Sequence, residues 1–234
     1  VVYDPQGRVL HLGHQHREAW DFFRPSVPRS WTATPWVLLT GVPPERQVAL
    51  RRQISPSCHV AVDSLARWIQ ESPGALRAAA EGAAVLALNH VEAELFTGRA
   101  DPQAAACALV AVGARWGLVK CGGEGAVLAH HRGVWHVPAY PARFLDGTGA
   151  GDTLLGAMIG WLDAHMARHV AVRAAPELDD PSVVLEAVAW GTAAASFTVE
   201  GLGPERLLTA RRDEMEARVA PIRRGIRPLG PYRV

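Results

Sequence analysis

Short β-rich segments alternate with segments of helical periodicity over the first half of this 234-residue chain. Strands are predicted at residues 37–40, 59–62, 85–88 and 117–120. Helices are predicted between them, at residues 44–53, 65–70, 74–81, 91–97 and 103–112. This alternation favours an α/β fold with a largely parallel sheet, because parallel neighbours need a long crossover, which is usually helical.

The pattern changes in the second half of the chain. Residues 126–129 and 134–137 predict a β-hairpin, and mainly helical segments follow it, at residues 150–168, 182–199 and 204–219. The acidic, proline-bounded residues 176–181 predict a loop and not a domain boundary. The arginine-rich residues 221–234 are typical of a solvated tail.

Composition excludes several classes of protein. A hydrophobic content of 49% is enough for a sizeable core. No apolar run is long enough to span a bilayer, and no secretory leader is predicted. The formal net charge of +1 gives no global basic field for nucleic acid. Three scattered cysteines, Cys58, Cys107 and Cys121, lack metal-site spacing and indicate reduced thiols, so a cytoplasmic location is expected.

A glycine-rich segment with a built-in acid precedes the first helix of the second half. Residues 146–153 are Asp-Gly-Thr-Gly-Ala-Gly-Asp-Thr, and an apolar run follows at residues 154–162. The N–H groups of Gly149, Ala150 and Gly151 stand where a helix leaves its first donors unpaired, which favours a phosphate. Asp152 would repel that phosphate unless its task is to take a proton from an incoming hydroxyl. The segment therefore suggests phosphoryl transfer to an alcohol.

The same segment resembles the C-terminal signature of the PfkB/ribokinase family of sugar and nucleoside kinases. The alternative is an ordinary glycine-rich turn before a helix, in which Asp and Thr are common first residues. The resemblance extends from about residue 22 to residue 218 and implies a ribokinase-like, three-layer α/β/α fold with a small β-lid. It implies Asp152 as the base, Thr148 in the nucleotide site, and Asp146 as a residue that helps to hold a monovalent cation such as K⁺.

Two further motifs occur in the family's order. Asn89-His-Val-Glu92 resembles the family's Asn-x-x-Glu motif, which organises Mg²⁺ and the phosphates largely through water. A plain strand-to-helix turn capped by the asparagine is the alternative. Residues 116–128 resemble the segment whose glycine-containing turn lies beside the nucleotide phosphates, and this implies nucleotide contacts for Lys120, Gly122 and Gly125. A β-hairpin turn explains the same glycines, and both interpretations can hold together.

Weaker similarities concern two other segments. Residues 60–69 are similar to an Asp-Thr-Met-Asn-x-Trp-Ile stretch of one bacterial subgroup, in which Asp63 follows a strand as either a site residue or a helix cap. The small residues 191–196 correspond to a family helix that borders the adenine, which implies nucleotide contact for Ala194. Close packing against a neighbouring helix is the commoner cause of such a run.

The chain departs from the family at its beginning. Nothing before residue 37 matches the family's first strand or the Gly-Gly segment that binds the acceptor. Residues 1–12 instead predict a hairpin, and residues 1–20 suit a remnant of the β-lid in an otherwise single domain of residues 1–234. An N-terminal segment is therefore expected to be missing from this sequence or lost from the protein. Gly147 also stands where the family has Thr or Pro.

The favoured hypothesis is a kinase that uses ATP and Mg²⁺ to phosphorylate a hydroxymethyl group of a sugar or nucleoside. Its expected partner is that small molecule, with neither nucleic acid nor membrane, and the hypothesis leaves room for a homodimer. The alternative is a catalytically silent nucleotide-binding or scaffolding relative. A Rossmann dehydrogenase is excluded, because the glycine-rich turn comes late in the chain and no early β-Gly-x-Gly-x-x-Gly-α unit exists.

Overall fold

The computed structural model describes residues 2–3, 9–11, 22–169 and 177–233. The strands are β1 (Val2–Tyr3), β2 (Val9–His11), β3 (Trp36–Leu39), β4 (His59–Asp63), β5 (Val85–Asn89), β6 (Trp116–Lys120), β7 (Ala126–His130), β8 (Gly133–Val137) and β9 (Arg227–Gly230). The α-helices are α1 (Pro44–Arg51), α2 (Ala66–Glu71), α3 (Pro73–Ala80), α4 (His90–Thr97), α5 (Pro102–Ala111), α6 (Ala150–His169), α7 (Pro181–Thr198), α8 (Glu205–Leu208) and α9 (Arg212–Gly225).

One sheet of seven strands, in the order β3-β4-β5-β6-β7-β8-β9, organises the described chain. β3 to β6 pair in parallel, and β6 to β9 pair antiparallel. The predicted strands and the hairpin are confirmed, and the parallel half is connected by helices as expected. β1 and β2 pair antiparallel in a separate small sheet, which agrees with the predicted hairpin, while its turn at residues 4–8 lies outside the described residues.

Helices cover both faces of this sheet, which gives the expected three layers. One buried cluster joins the sheet to α6, α7 and α9. The other joins its opposite face to α2, α3, α4 and α5. The central parallel strands are apolar on both faces, as buried parallel strands require, and the residues of β5 from Val85 to Leu88 are all buried.

The C-terminal region differs from the sequence prediction. The predicted helix at residues 204–219 is two helices, α8 and α9, and α9 runs on to Gly225. The expected solvated tail forms β9, which pairs with β8 through Trp135 and Pro228. Its apolar side chains explain the difference, since Leu229 and Tyr232 pack against the core between the exposed arginines. The arginine content obscured this short alternation in the sequence.

The small residues of α7 allow α6 to approach closely. A Cβ on Gly191 would lie 2.4 Å from the carbonyl oxygen of Leu154, which is less than any real contact. Leu154 and Leu155 of α6 pack in the same buried cluster as Val188 of α7. The helix-packing explanation therefore accounts for the small side chain at residue 191.

Gly191→Ala is expected to lower the free energy of unfolding by about 1–3 kcal/mol, because its methyl group must push α6 away from α7. Gly156→Ala is the matched control on α6, since a Cβ there meets no atom within 4 Å. The control is expected to raise stability by up to about 1 kcal/mol through helix propensity. Denaturant unfolding of both variants measures the difference, and equal effects would contradict this account of the interface.

Candidate active site

Polar residues lie at the carboxyl ends of all four parallel strands, at one edge of the sheet. Thr40 comes directly after β3, and Asp63, Asn89 and Lys120 are the last residues of β4, β5 and β6. Asn89 and Lys120 stand opposite each other in the register of β5 and β6. Parallel strands end at the same edge, and the carboxyl ends are where open α/β sheets bind ligands.

The glycine-rich turn brings the start of α6 to this edge. Asp146 organises the turn, because its Oδ1 accepts hydrogen bonds from the Thr148 amide at 3.0 Å and from the Thr148 hydroxyl at 2.9 Å. Gly149 has a φ of +80°, which favours glycine. The amide of Ala150 donates to the carbonyl of Gly147 at 3.2 Å. Helix α6 then begins at Ala150 with its positive end toward the strand ends.

Asp152 lies in the first turn of α6, exposed and beside β3. The hydroxyl of Thr40 donates a hydrogen bond to Asp152 Oδ1 over 3.2 Å. In the described part of the chain no other side chain donates to this carboxylate, which leaves Oδ2 for a further donor. The bond joins residues 112 positions apart and places the predicted base at the carboxyl end of the sheet.

Lys120 lies beneath the glycine-rich turn in a buried ion pair. Its Nζ lies 2.6 Å from Asp63 Oδ2, and the two side chains are only 13% and 7% exposed. A Cβ placed on Gly151 would lie 3.1 Å from this Nζ. The lysine charge is therefore next to the predicted anion-binding amides, and the absence of a side chain at Gly151 makes room for it.

Burial raises the pKa of Asp63 above its usual value, and the negative charge of Asp152 acts in the same direction. The Lys120 ammonium and the Ser64 amide oppose this by stabilising the carboxylate. The charges of Lys120 and Asp152, which lie on either side of the glycine-rich turn, therefore both act on the pKa of Asp63.

Asn89 and Glu92 form a reciprocal cap at the start of α4. The Glu92 amide donates to Asn89 Oδ1 at 2.9 Å, and the Asn89 amide donates to Glu92 Oε2 at 3.0 Å. The capping alternative from the sequence is therefore present. Burial, with a smaller contribution from the charge of Asp63, raises the pKa of Glu92 to about 7, because the two together outweigh the hydrogen bond from the Asn89 amide.

Residues 37–210 match the family described as pfkB family carbohydrate kinase. The chain belongs to this family. No curated protein matches it. Among the described residues, no helix is both long and apolar enough to cross a membrane.

Solved structures of kinases share the fold. Ribokinase from Thermotoga maritima is 24% identical, with a TM-score of 0.59 over 79% of this chain and 56% of its own. Aminoimidazole riboside kinase from Salmonella enterica, solved with its riboside and an ATP analogue, is 20% identical, with a TM-score of 0.62 over 79% and 62%. Phosphofructokinase-2 from Escherichia coli, solved with potassium, is 22% identical, with a TM-score of 0.60 over 80% and 57%. This pfkB-family chain therefore spans about three fifths of the length of the solved structures it matches.

The remaining predicted nucleotide residues have structural roles of their own. Gly122 has a φ of +58° and begins the turn Gly122–Glu124. Gly125 has a φ of +96°, and a Cβ there would lie 2.1 Å from the carbonyl oxygen of Val137, so the hairpin itself requires a glycine. Ala194 is only 2% exposed, so its own side chain offers little surface to a ligand. Their nucleotide contacts stay predictions.

The predicted metal residues are Asn89, Glu92 and Asp146. Across the residues that the structure describes, no three His, Cys, Asp or Glu side chains converge on one point. Asn89 ends β5 and Glu92 is buried in the first turn of α4, and Asn89 Oδ1 and Glu92 Oε2 already accept hydrogen bonds within the cap. Oxygen ligands of this kind are what Mg²⁺ prefers. Asp146 already accepts two hydrogen bonds through Oδ1. Their ligand roles stay predictions.

Sequence reasoning assigned no role to Thr40 or Gln47 and left that of Asp63 open. Gln47 is fully buried and donates to the carbonyl of Asp63 at 2.8 Å. Thr40 and Asp63 share one signal with the predicted site residues, because both follow apolar strands that end at the same edge. Applying that rule to every predicted parallel strand would have found them.

Glu92 is expected to make stability depend on pH. A carboxyl group whose pKa is raised from 4.5 in the unfolded chain to about 7 in the folded chain favours folding at low pH, and this contribution is lost as the pH rises through 7. The free energy of unfolding of the wild type relative to Glu92→Gln should therefore fall by roughly 3 kcal/mol between pH 4.5 and pH 8.

Urea unfolding at a series of pH values measures this difference. Glu94→Gln, at an exposed position of the same helix, is the matched control for replacing a glutamate of α4 by glutamine. An offset between the wild type and Glu92→Gln that does not change with pH would contradict the raised pKa of Glu92.

Proposed function

We propose that this protein is an ATP-dependent phosphotransferase that acts on a hydroxymethyl group of a sugar or nucleoside. One observation carries the proposal: the Asp152 carboxylate, which accepts a hydrogen bond from Thr40, stands in the first turn of α6 directly after Gly151, and the Lys120 ammonium lies against Gly151. A base within reach of a phosphate-binding element is the arrangement that phosphoryl transfer to an alcohol needs.

Asp152 would activate the acceptor hydroxyl as the nucleophile. The acceptor hydroxyl would donate its proton to Asp152 while its oxygen attacks the γ-phosphorus of ATP. The bond between that phosphorus and the β,γ-bridging oxygen breaks, and ADP leaves with the bonding electron pair. The hydrogen bond from Thr40 engages one carboxylate oxygen, which leaves Oδ2 of the exposed side chain as the proton acceptor.

The glycine-rich turn and Lys120 account for the charge on the phosphoryl group. The amides of Gly149, Ala150 and Gly151 would stabilise that charge together with the helix dipole. The Ala150 amide is shared with the carbonyl of Gly147 at 3.2 Å, so Gly149 and Gly151 would supply the main donors. Lys120 adds a full positive charge beside Gly151.

Cofactors are proposed on the same basis. Mg²⁺ shields the phosphate charge when it is bound, and Asn89 and Glu92 would hold it largely through water. A K⁺ ion would be held with the help of Asp146, as the potassium in the phosphofructokinase-2 structure suggests by analogy. The ATP analogue in the riboside kinase structure supports ATP as the phosphoryl donor. Residues 1–20 as a lid remnant, a homodimer and a cytoplasmic location stay predictions.

A silent nucleotide-binding relative is the second candidate. A protein that only binds nucleotide gains nothing from a carboxylate beside the phosphate, because the two negative charges repel each other. The oriented Asp152 therefore favours the enzyme.

Asp152→Asn is expected to reduce kcat by about a hundred- to ten-thousandfold, because the amide cannot take the proton. Its binding of ATP should be retained, since an asparagine oxygen can still accept the hydrogen bond from Thr40. ADP release with a panel of sugars and nucleosides measures turnover, and calorimetry measures nucleotide binding.

Asp163→Asn is the matched control, because Asp163 is exposed on the same helix and away from its first turn. Full activity of Asp152→Asn would overturn Asp152 as the base. Nucleotide binding by the wild type without turnover on any acceptor would favour the silent relative.

A further inference from the structure

The Asp63–Lys120 pair is a buried ion pair at the strand ends, with side chains only 13% and 7% exposed. It joins the last residues of β4 and β6, and β5 lies between those two strands. Removing two charges from water is costly, so a buried pair of this kind is weak evidence for a gain in stability. Its position beside Gly151 suggests another use.

The ammonium group of Lys120 has hydrogen-bond donors that its bond to Asp63 does not use. An ammonium group carries three N–H donors, and among the described residues the one hydrogen bond from Lys120 Nζ goes to Asp63 Oδ2 at 2.6 Å. With the side chain only 13% exposed, little water is available to the other donors. The glycine-rich turn lies next to this ammonium, since a Cβ on Gly151 would be 3.1 Å from Nζ.

The aspartate itself is held in place. Its Oδ1 accepts a hydrogen bond from the Ser64 amide at 2.8 Å. Its carbonyl oxygen accepts one from the buried Gln47 side chain at 2.8 Å, and the same amide group reaches the carbonyl of Leu39 at 3.4 Å. Asp63 is therefore a fixed anchor, while Lys120 is a flexible chain that needs one.

We propose that Asp63 is a positioning residue: it holds the Lys120 ammonium against the Gly149–Gly151 turn, where the ammonium contacts the terminal phosphates of the nucleotide. The inference rests on the proposed function in taking a nucleoside triphosphate as the ligand. It goes beyond that function in giving Asp63 a task and in explaining why Gly151 has no side chain. A carboxylate that pins an ammonium reduces the entropy lost when the phosphate arrives.

A purely structural ion pair predicts something different. Loss of a structural pair would lower the stability of the protein and would weaken the binding of every nucleotide to the same extent. Loss of a positioning residue would weaken the binding of only those nucleotides whose terminal phosphates reach Lys120. The number of phosphates on the ligand therefore separates the two roles without any measurement of turnover.

The test compares binding of a non-hydrolysable ATP analogue and of AMP by calorimetry. Asp63→Asn, Lys120→Met and the double variant are measured beside the wild type. Each single variant is expected to bind the ATP analogue roughly ten- to a hundredfold more weakly, which is the range of a charged hydrogen bond. Its affinity for AMP should be unchanged. The double variant should bind no more weakly than Lys120→Met, because Asp63 acts through the lysine.

Glu71→Gln is the control, since it breaks an ion pair on the surface of α2 and should change neither affinity. If Asp63→Asn fails to fold, Gly151→Ala replaces it, because the new methyl group displaces the ammonium. Its loss of affinity should disappear in the Lys120→Met background.

Equal losses of affinity for the ATP analogue and for AMP would overturn the proposal. It would also be overturned if the effects of Asp63→Asn and Lys120→Met on affinity for the ATP analogue added up in the double variant. A wild type that binds the ATP analogue no more tightly than AMP would overturn it as well. Preference for the ATP analogue without turnover would instead refute the kinase function and leave the role of Asp63 standing.

Discussion

The packing of α6 against the sheet is the constraint on which the candidate site depends. Leu154, Leu155, Met158 and Leu162 lie along one side of this helix and are buried in the same apolar cluster. They fix the helix axis, and the helix start then has to meet the carboxyl ends of the parallel strands. The base, the glycine-rich turn and the lysine meet there because apolar burial puts them there.

The ionisable groups at this edge of the sheet interact at close range. Asp63 offsets Lys120, and Asp63 in turn raises the pKa of Glu92 and has its own pKa raised by Asp152. Each group therefore depends on its neighbours, which makes the site sensitive to any added charge. A nucleotide with its metal ion brings both negative and positive charge to the site. A set of mutually interacting ionisable groups of this kind is typical of functional sites.

The sequence predicted most of the fold, because the strand and helix periodicities are local. Every strand of the parallel half and the hairpin appear within a residue or two of their predicted bounds. The C-terminal strand was missed, since its four residues include Arg227 and Pro228, and pairing with β8 rather than local propensity makes it a strand. In the site, the motifs at residues 89–92 and 146–153 were visible because neighbours in the sequence form them.

By itself, the sequence determined the order of the elements from β3 to α7, the glycine-rich start of α6 and membership of the pfkB family. Only the tertiary structure decided that Thr40 bonds to Asp152 and that Asp63 holds Lys120, contacts that span 112 and 57 residues. The reason is physical: a cap or a tight turn closes between near neighbours, whereas these contacts exist only after strand register and helix packing have set the distances.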